Sequence, residues 1–164
     1  MGATHIAAFA SANSAEFANE LVAVCDRKAS RRAGELGDVG GNLDTAGRES
    51  RAFDPSRVRG YERPEDLIAD PNVDLISVCT RTDTHVDLCI RAMEAGKHVI
   101  VEKPLTGCFT RRADMTASAM QVEALRSADA MLAAARDAGR DLCYAENWLY
   151  ARLGFQENAL ETFL

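Results

Sequence analysis

An α/β fold, a doubly wound parallel sheet with helices on both faces, is what this sequence predicts, and three observations carry the expectation. Short unbroken apolar runs rich in Val, Ile and Leu recur along the chain, as in strands buried on both faces. Stretches with helical apolar spacing lie between them. Glycine or proline stands at the junctions, where helices stop or start. Strands alternating with helices require right-handed crossovers, hence parallel pairing.

In chain order, Gly2 precedes a short helical run over Ala3 to Ala10. The apolar run Glu20 to Cys25 reads as a first strand ending in Asp26. Gly34 to Arg57 carries Gly34, Gly37, Gly40, Gly41 and Gly47 among charges, which predicts a long loop before a short strand near Val58 to Tyr61. Pro64 to Ile68 opens a short helix, with proline in its first turn and acids near the positive end of the dipole. Asp74 to Cys79 is the next strand. Thr84 to Ala95 follows as a helix burying Val86, Cys89, Ile90 and Met93, with Gly96 as its stop. His98 to Val101 is a strand and Leu105 to Thr116 a loop. A long helix over Ala117 to Ala138 turns Leu125, Ala128, Leu132 and Ala135 to one side and ends at Gly139. Asp141 to Ala145 closes the series as a weaker strand.

Composition narrows the function classes. A chain of 164 residues with 47% hydrophobic and 27% charged residues is one ordinary globular domain's worth, large enough to bury a core. The net charge of −6 comes without a basic tract, which argues against nucleic acid or a membrane surface as partner. Cys25, Cys79, Cys89, Cys108 and Cys143 form no Cys-x-x-Cys pair, and three of them sit inside apolar strand-like runs as small apolar side chains, which fits a reducing cytoplasm. No run reaches the roughly 20 apolar residues of a membrane span, and the start lacks the pattern of a signal peptide. His5, His85 and His98 stand far apart in sequence, so no metal is expected.

Ligands of open α/β sheets bind beyond the carboxyl ends of the strands. The His98 strand ends there in Glu102-Lys103-Pro104, which makes Lys103 the first candidate for chemistry. Asp26 occupies the corresponding end of the first strand, where a dinucleotide-binding fold places its acceptor for ribose hydroxyls, and where a helix-capping aspartate also belongs. Arg27 and Lys28 beside it offer charge to a 2′-phosphate, so the cofactor is NAD or NADP. Thr80-Arg81-Thr82-Asp83-Thr84-His85 brings hydroxyls, a carboxylate and an imidazole to the same edge, with one of Thr82, Asp83 or Thr84 expected to cap the next helix. At the start of the first helix, Gly2 would let a pyrophosphate approach exposed N–H groups, although the strand and two further glycines of a full dinucleotide fingerprint do not precede it.

Gly2-x-x-His5, the Asp26 strand end, Thr80 to His85, and Glu-Ala-Gly-Lys-His-Val at 94 to 99 running into Glu102-Lys103-Pro104 resemble the glucose-fructose oxidoreductase, inositol dehydrogenase and MocA (Gfo/Idh/MocA) family. The likeness covers Gly2 to about Tyr150, and Ala145-Glu146-Asn147-Trp148 is similar to that family's exit from its Rossmann domain. It implies a Rossmann-like domain of an NAD(P)-dependent dehydrogenase acting on a sugar, polyol or related hydroxy compound. Lys103 would then be the catalytic residue near the nicotinamide, with Glu102 by its ribose and Pro104 after a cis peptide. Gly2, His5, Asp26, Arg27, Thr80, Thr82, His85 and Asn147 would complete the cofactor contacts. The resemblance also implies a family in which a strand precedes Gly2 and a larger domain follows. The first, central strand is therefore expected to be lacking, with residues 1–150 an incomplete dinucleotide-binding domain and 151–164 the stub of a substrate domain. Arg152 stands where the family has proline. Such a piece is expected to be inactive alone, while the full-length form takes a small-molecule substrate in the cytoplasm and allows a homo-oligomer. A non-catalytic dinucleotide sensor is the alternative. A signalling receiver domain is disfavoured, because Asp26 lies too early in the strand order to match its phosphoacceptor and the paired metal-binding acids are missing.

Overall fold

The computed structural model describes residues 2–12, 18–36, 52–109 and 115–146. In order the elements are α1 (Gly2–Ala12), β1 (Ala23–Cys25), α2 (Ala29–Arg32), β2 (Arg59–Tyr61), α3 (Pro64–Ile68), β3 (Leu75–Val78), a 3₁₀ turn (Thr82–Thr84), α4 (His85–Glu94), β4 (His98–Glu102), α5 (Ala117–Ala138) and β5 (Leu142–Ala145). The sequence anticipates each of these except the single turn of α2 and the 3₁₀ turn, which lies where a plain strand-to-helix join is expected.

All the strand pairs are parallel, as the crossovers require. β1 pairs with β2 in the register Val24 to Gly60. β3, β4 and β5 form a second sheet, with Ser77 beside Ile100 and Ile100 beside Cys143. Among the described residues no ladder joins β1 to β3, so the sheet stands in two pieces. Helix α1 packs against β3.

β4 is the centre of the larger piece, hydrogen-bonded on both edges, and its Val99 and Val101 are fully buried. They form one core with Val78 of β3, Cys89, Ala92 and Met93 of α4, Met131 of α5 and Ile68 of α3. Helix α4 thus buries the face its spacing predicts. For α5 the expected face is displaced: Leu125 and Leu132 are 58% and 45% exposed, while Met131 is buried and Ala134, Ala135 and Ala138 pack beside it. Small alanines let α5 approach α4 closely, and the flexible methionine fills the remaining gap better than branched leucines. Cys25 and Cys143 are exposed rather than apolar filler, and only Cys89 among the cysteines is buried.

The helix stops follow the sequence. Gly96 and Gly139 take φ of 81° and 61°, the left-handed conformation that lets the chain leave a helix. At the other end of α5, the Thr116 hydroxyl accepts from the Ala119 N–H at 3.2 Å.

Candidate cofactor site

The carboxyl ends of β3 and β4 and the first turns of α1 come together around one imidazole. His5, one turn into α1, places Nε2 2.9 Å from Glu102 Oε1 and Nδ1 2.7 Å from Ser77 Oγ. Ser77 in β3 and Cys79 just past its end are two residues apart and share a face, with Ser77 Oγ 3.5 Å from Cys79 Sγ. Gly2 stands at the same place, where an added Cβ would lie 3.7 Å from the Cys79 Cβ. Hydrogen bonding to Cys79 first, and to Glu102 after it, pushes the His5 imidazole up to about 9 against the opposing effect of burial, so the ring is a cation at neutral pH.

Glu102 is only 4% exposed, and both its oxygens are engaged: Oε1 by His5 and Oε2 by the Lys103 N–H at 3.0 Å. A buried carboxylate needs such partners. Its effect is to fix the turn in which Lys103 follows. Lys103 itself is exposed, and the Lys103–Pro104 peptide is cis, as the resemblance implies.

Behind this turn lies His85, 1% exposed, with Nδ1 3.1 Å from the Pro104 carbonyl and Nε2 3.3 Å from the Thr80 carbonyl. A ring with one N–H donates to one of these two carbonyls, so His85 ties α4 to the loop after β3 or to the loop after β4. A ring enclosed in this way has no free edge for a ligand, so its place is behind the cofactor loops rather than on their surface. Thr80 is exposed and pairs its hydroxyl with that of Thr84, which donates to the Arg81 carbonyl at 2.7 Å. Thr84 holds the N-cap position of α4, as expected, but makes no side-chain cap hydrogen bond because its hydroxyl is spent on that carbonyl. Thr82 instead lines a cleft of about 220 Å³ with Asp83, Val86, Thr106, Phe109 and Glu123.

Asp26 and Arg27 belong to a separate cluster at the end of β1. The Asp26 carboxylate accepts from the Lys28 N–H at 2.8 Å and from Arg31 at 3.3 Å, while Arg32 donates to the carbonyls of Asp26 and Arg27. Asn147 lies outside the described residues. Ser77, Cys79 and Arg31 escape sequence reasoning: the first two sit in a run that reads as apolar, and Arg31 only as a charge on a solvated turn. The alternation of Ser77 and Cys79 at a strand end was the available signal.

The profile of a family described as an oxidoreductase family with an NAD-binding Rossmann fold matches residues 1–143. Myo-inositol 2-dehydrogenase of Thermotoga maritima is 50% identical over 48 residues, 29% of this chain and 14% of the relative. D-xylose 1-dehydrogenase (NADP(+)) of Hypocrea jecorina is 39% identical over 88 residues, 54% of this chain and 19% of the relative. The crystal structure of an oxidoreductase domain protein from Kribbella flavida superposes with a TM-score of 0.61 at 27% identity, covering 88% of this chain and 32% of that one. The chain thus spans less than a fifth of these curated relatives and about a third of that structure. With a family profile matched over residues 1–143 and the charged strand ends in place, the chain belongs to the Gfo/Idh/MocA oxidoreductase family and carries its NAD-binding Rossmann fold.

Proposed function

We propose that this chain forms the cofactor side of an NAD(P)-dependent dehydrogenase that interconverts hydroxyl and carbonyl groups on a sugar, polyol or related compound. The observation that carries the proposal is the Glu102–Lys103–Pro104 turn, an exposed amine held by a buried, doubly bonded carboxylate at a strand end. The names of the T. maritima and H. jecorina relatives, an inositol and a xylose dehydrogenase, support the substrate class.

The donor set suits a dinucleotide. The start of α1 offers backbone N–H groups beside Gly2, which brings no side chain there. Asp26 offers a carboxylate to ribose hydroxyls and Arg27 a cation to a 2′-phosphate, while Thr80 offers an exposed hydroxyl. A bound nicotinamide supplies the hydride chemistry. Lys103 hydrogen-bonds the substrate oxygen, stabilising charge that develops there and passing or receiving its proton. Glu102 holds the backbone that carries Lys103, and the enclosed His85 ring braces the loops behind it through a carbonyl of Thr80 or Pro104. Residues 1–150 make up the dinucleotide-binding unit, Asn147 included, and 151–164 open a second, substrate-binding unit.

Titration of the 164-residue chain with NADH and NADPH, followed by nicotinamide fluorescence, tests the cofactor assignment. Saturable binding is expected, with Asp26→Ala weakening NADH about tenfold, the equivalent of one good hydrogen bond. Absence of saturable binding overturns it. In a chain extended to the relatives' length, Lys103→Ala is expected to lower turnover by about 100-fold or more. Dinucleotide binding with no turnover on polyols or sugars in that extended chain would favour a sensor instead.

A further inference from the structure

Just past Lys103, the loop after β4 borders the cleft of about 220 Å³ that the chemistry above does not use. The 3₁₀ turn and α4 line it with Thr82, Asp83 and Val86, α5 with Glu123 and Ser127, and the loop with Thr106 to Phe109. Its volume falls below the roughly 300–1,000 Å³ of pockets for drug-sized ligands, which leaves room for one small ring.

The polar groups select the kind of ring. Each carboxylate already has its charge met by an arginine, Asp83 Oδ2 accepting from Arg81 at 2.8 Å and Glu123 Oε2 from Arg126 at 2.9 Å. Compensated in this way they hold little for a free cation, whereas the second oxygen of each can still accept an O–H. The Ser127 hydroxyl spends its hydrogen on the Glu123 carbonyl at 3.0 Å and is left as an acceptor. Thr106 keeps a buried Oγ1 without a partner among the described residues, a cost that a ligand hydroxyl is suited to remove. Phe109 adds an apolar surface, with 52% of the residue exposed. An added Cβ at Gly107 would lie 2.9 Å from its Cζ, so glycine there makes room for the ring to lie against the loop. Accepting oxygens beside an aromatic ring suit a molecule with hydroxyls around its rim and C–H groups on its faces.

We propose that this cleft binds a single monosaccharide or cyclic polyol, its hydroxyls donating to Asp83 and Glu123 and one C–H face lying against Phe109. Binding here needs neither a dinucleotide nor Lys103, so it stands apart from the cofactor assignment.

The test is a titration of the 164-residue chain with myo-inositol and with D-xylose, followed by backbone amide NMR shifts. Saturable shifts are expected at Thr106, Gly107 and Ser127, with a Kd of about 1–10 mM for so small and open a contact. Glu123→Gln is expected to weaken binding about tenfold and Phe109→Ala about fivefold, both at side chains that are not buried. Asp129→Asn, at an exposed acid further along α5, is expected to change nothing. Absence of saturable shifts at these amides with either polyol overturns the proposal, and so does saturation that survives both substitutions. Magnesium chloride that saturates the same amides where the polyols do not would make the cleft a cation site, and overturns it as well.

Discussion

Glu102, Lys103 and His85 divide the work of the strand-end turn among a buried anchor, an exposed amine and an enclosed brace. Their stabilities should divide the same way. Lys103→Ala, on an exposed side chain, is expected to shift unfolding free energy by no more than about 0.5 kcal/mol. His85→Leu leaves at least one of the Thr80 and Pro104 carbonyls without its donor and is expected to cost about 1–3 kcal/mol. Urea denaturation of the two variants against the parent chain checks both, and equal effects would contradict the bracing role. Lys103 is legible in the sequence because charge at the end of an apolar run is conspicuous. The engagement of His85 with two carbonyls is not legible, since backbone acceptors 5 and 19 residues away have no signature in residue type.

Helix α1 meets β3 and β4 through His5, which gives this element a pH-dependent hold. The folded-state value of about 9 lies above the ordinary 6.5. A group raised on folding stabilises fully below its unfolded value, and that contribution is lost as pH rises through the folded value. The window is therefore about pH 6.5 to 9. Thermal melts of the parent chain and His5→Gln should differ most near pH 6 and converge above pH 9; a constant difference would assign the effect to packing alone. At this scale β3, β4, α3 and α4 are legible from run length and spacing, because burial on one side or both leaves a periodic trace. The rotation of α5 is not. Leucine and alanine alternate around that helix, and only the closeness of α4 decides that Met131 and the alanines face inward.

Across the whole molecule the two sheet pieces are unequal. β3, β4 and β5 share the core with α4 and α5, whereas β1 and β2 are three-residue strands with little fully buried side chain of their own. Local opening free energy tracks such differences in burial. Native-state hydrogen exchange should therefore show the amides of Val99 and Val101 protected well beyond that of Cys25, and equal protection would mean the two pieces unfold as one unit. The cofactor proposal spans both pieces, since Asp26 ends β1 and Lys103 follows β4. Dinucleotide binding should accordingly raise protection in β1 more than in β4.

The sequence by itself determined the strand and helix order, the parallel pairing and the charged strand ends, because apolar period, glycine stops and handedness are local or nearly local properties. The tertiary structure alone decided which of those ends meet. His5 with Glu102, His5 with Ser77, and His85 with Pro104 are separated by 97, 72 and 19 residues in the chain. Their partnership depends on distances set by packing around β4, and no residue pattern encodes a distance of that kind.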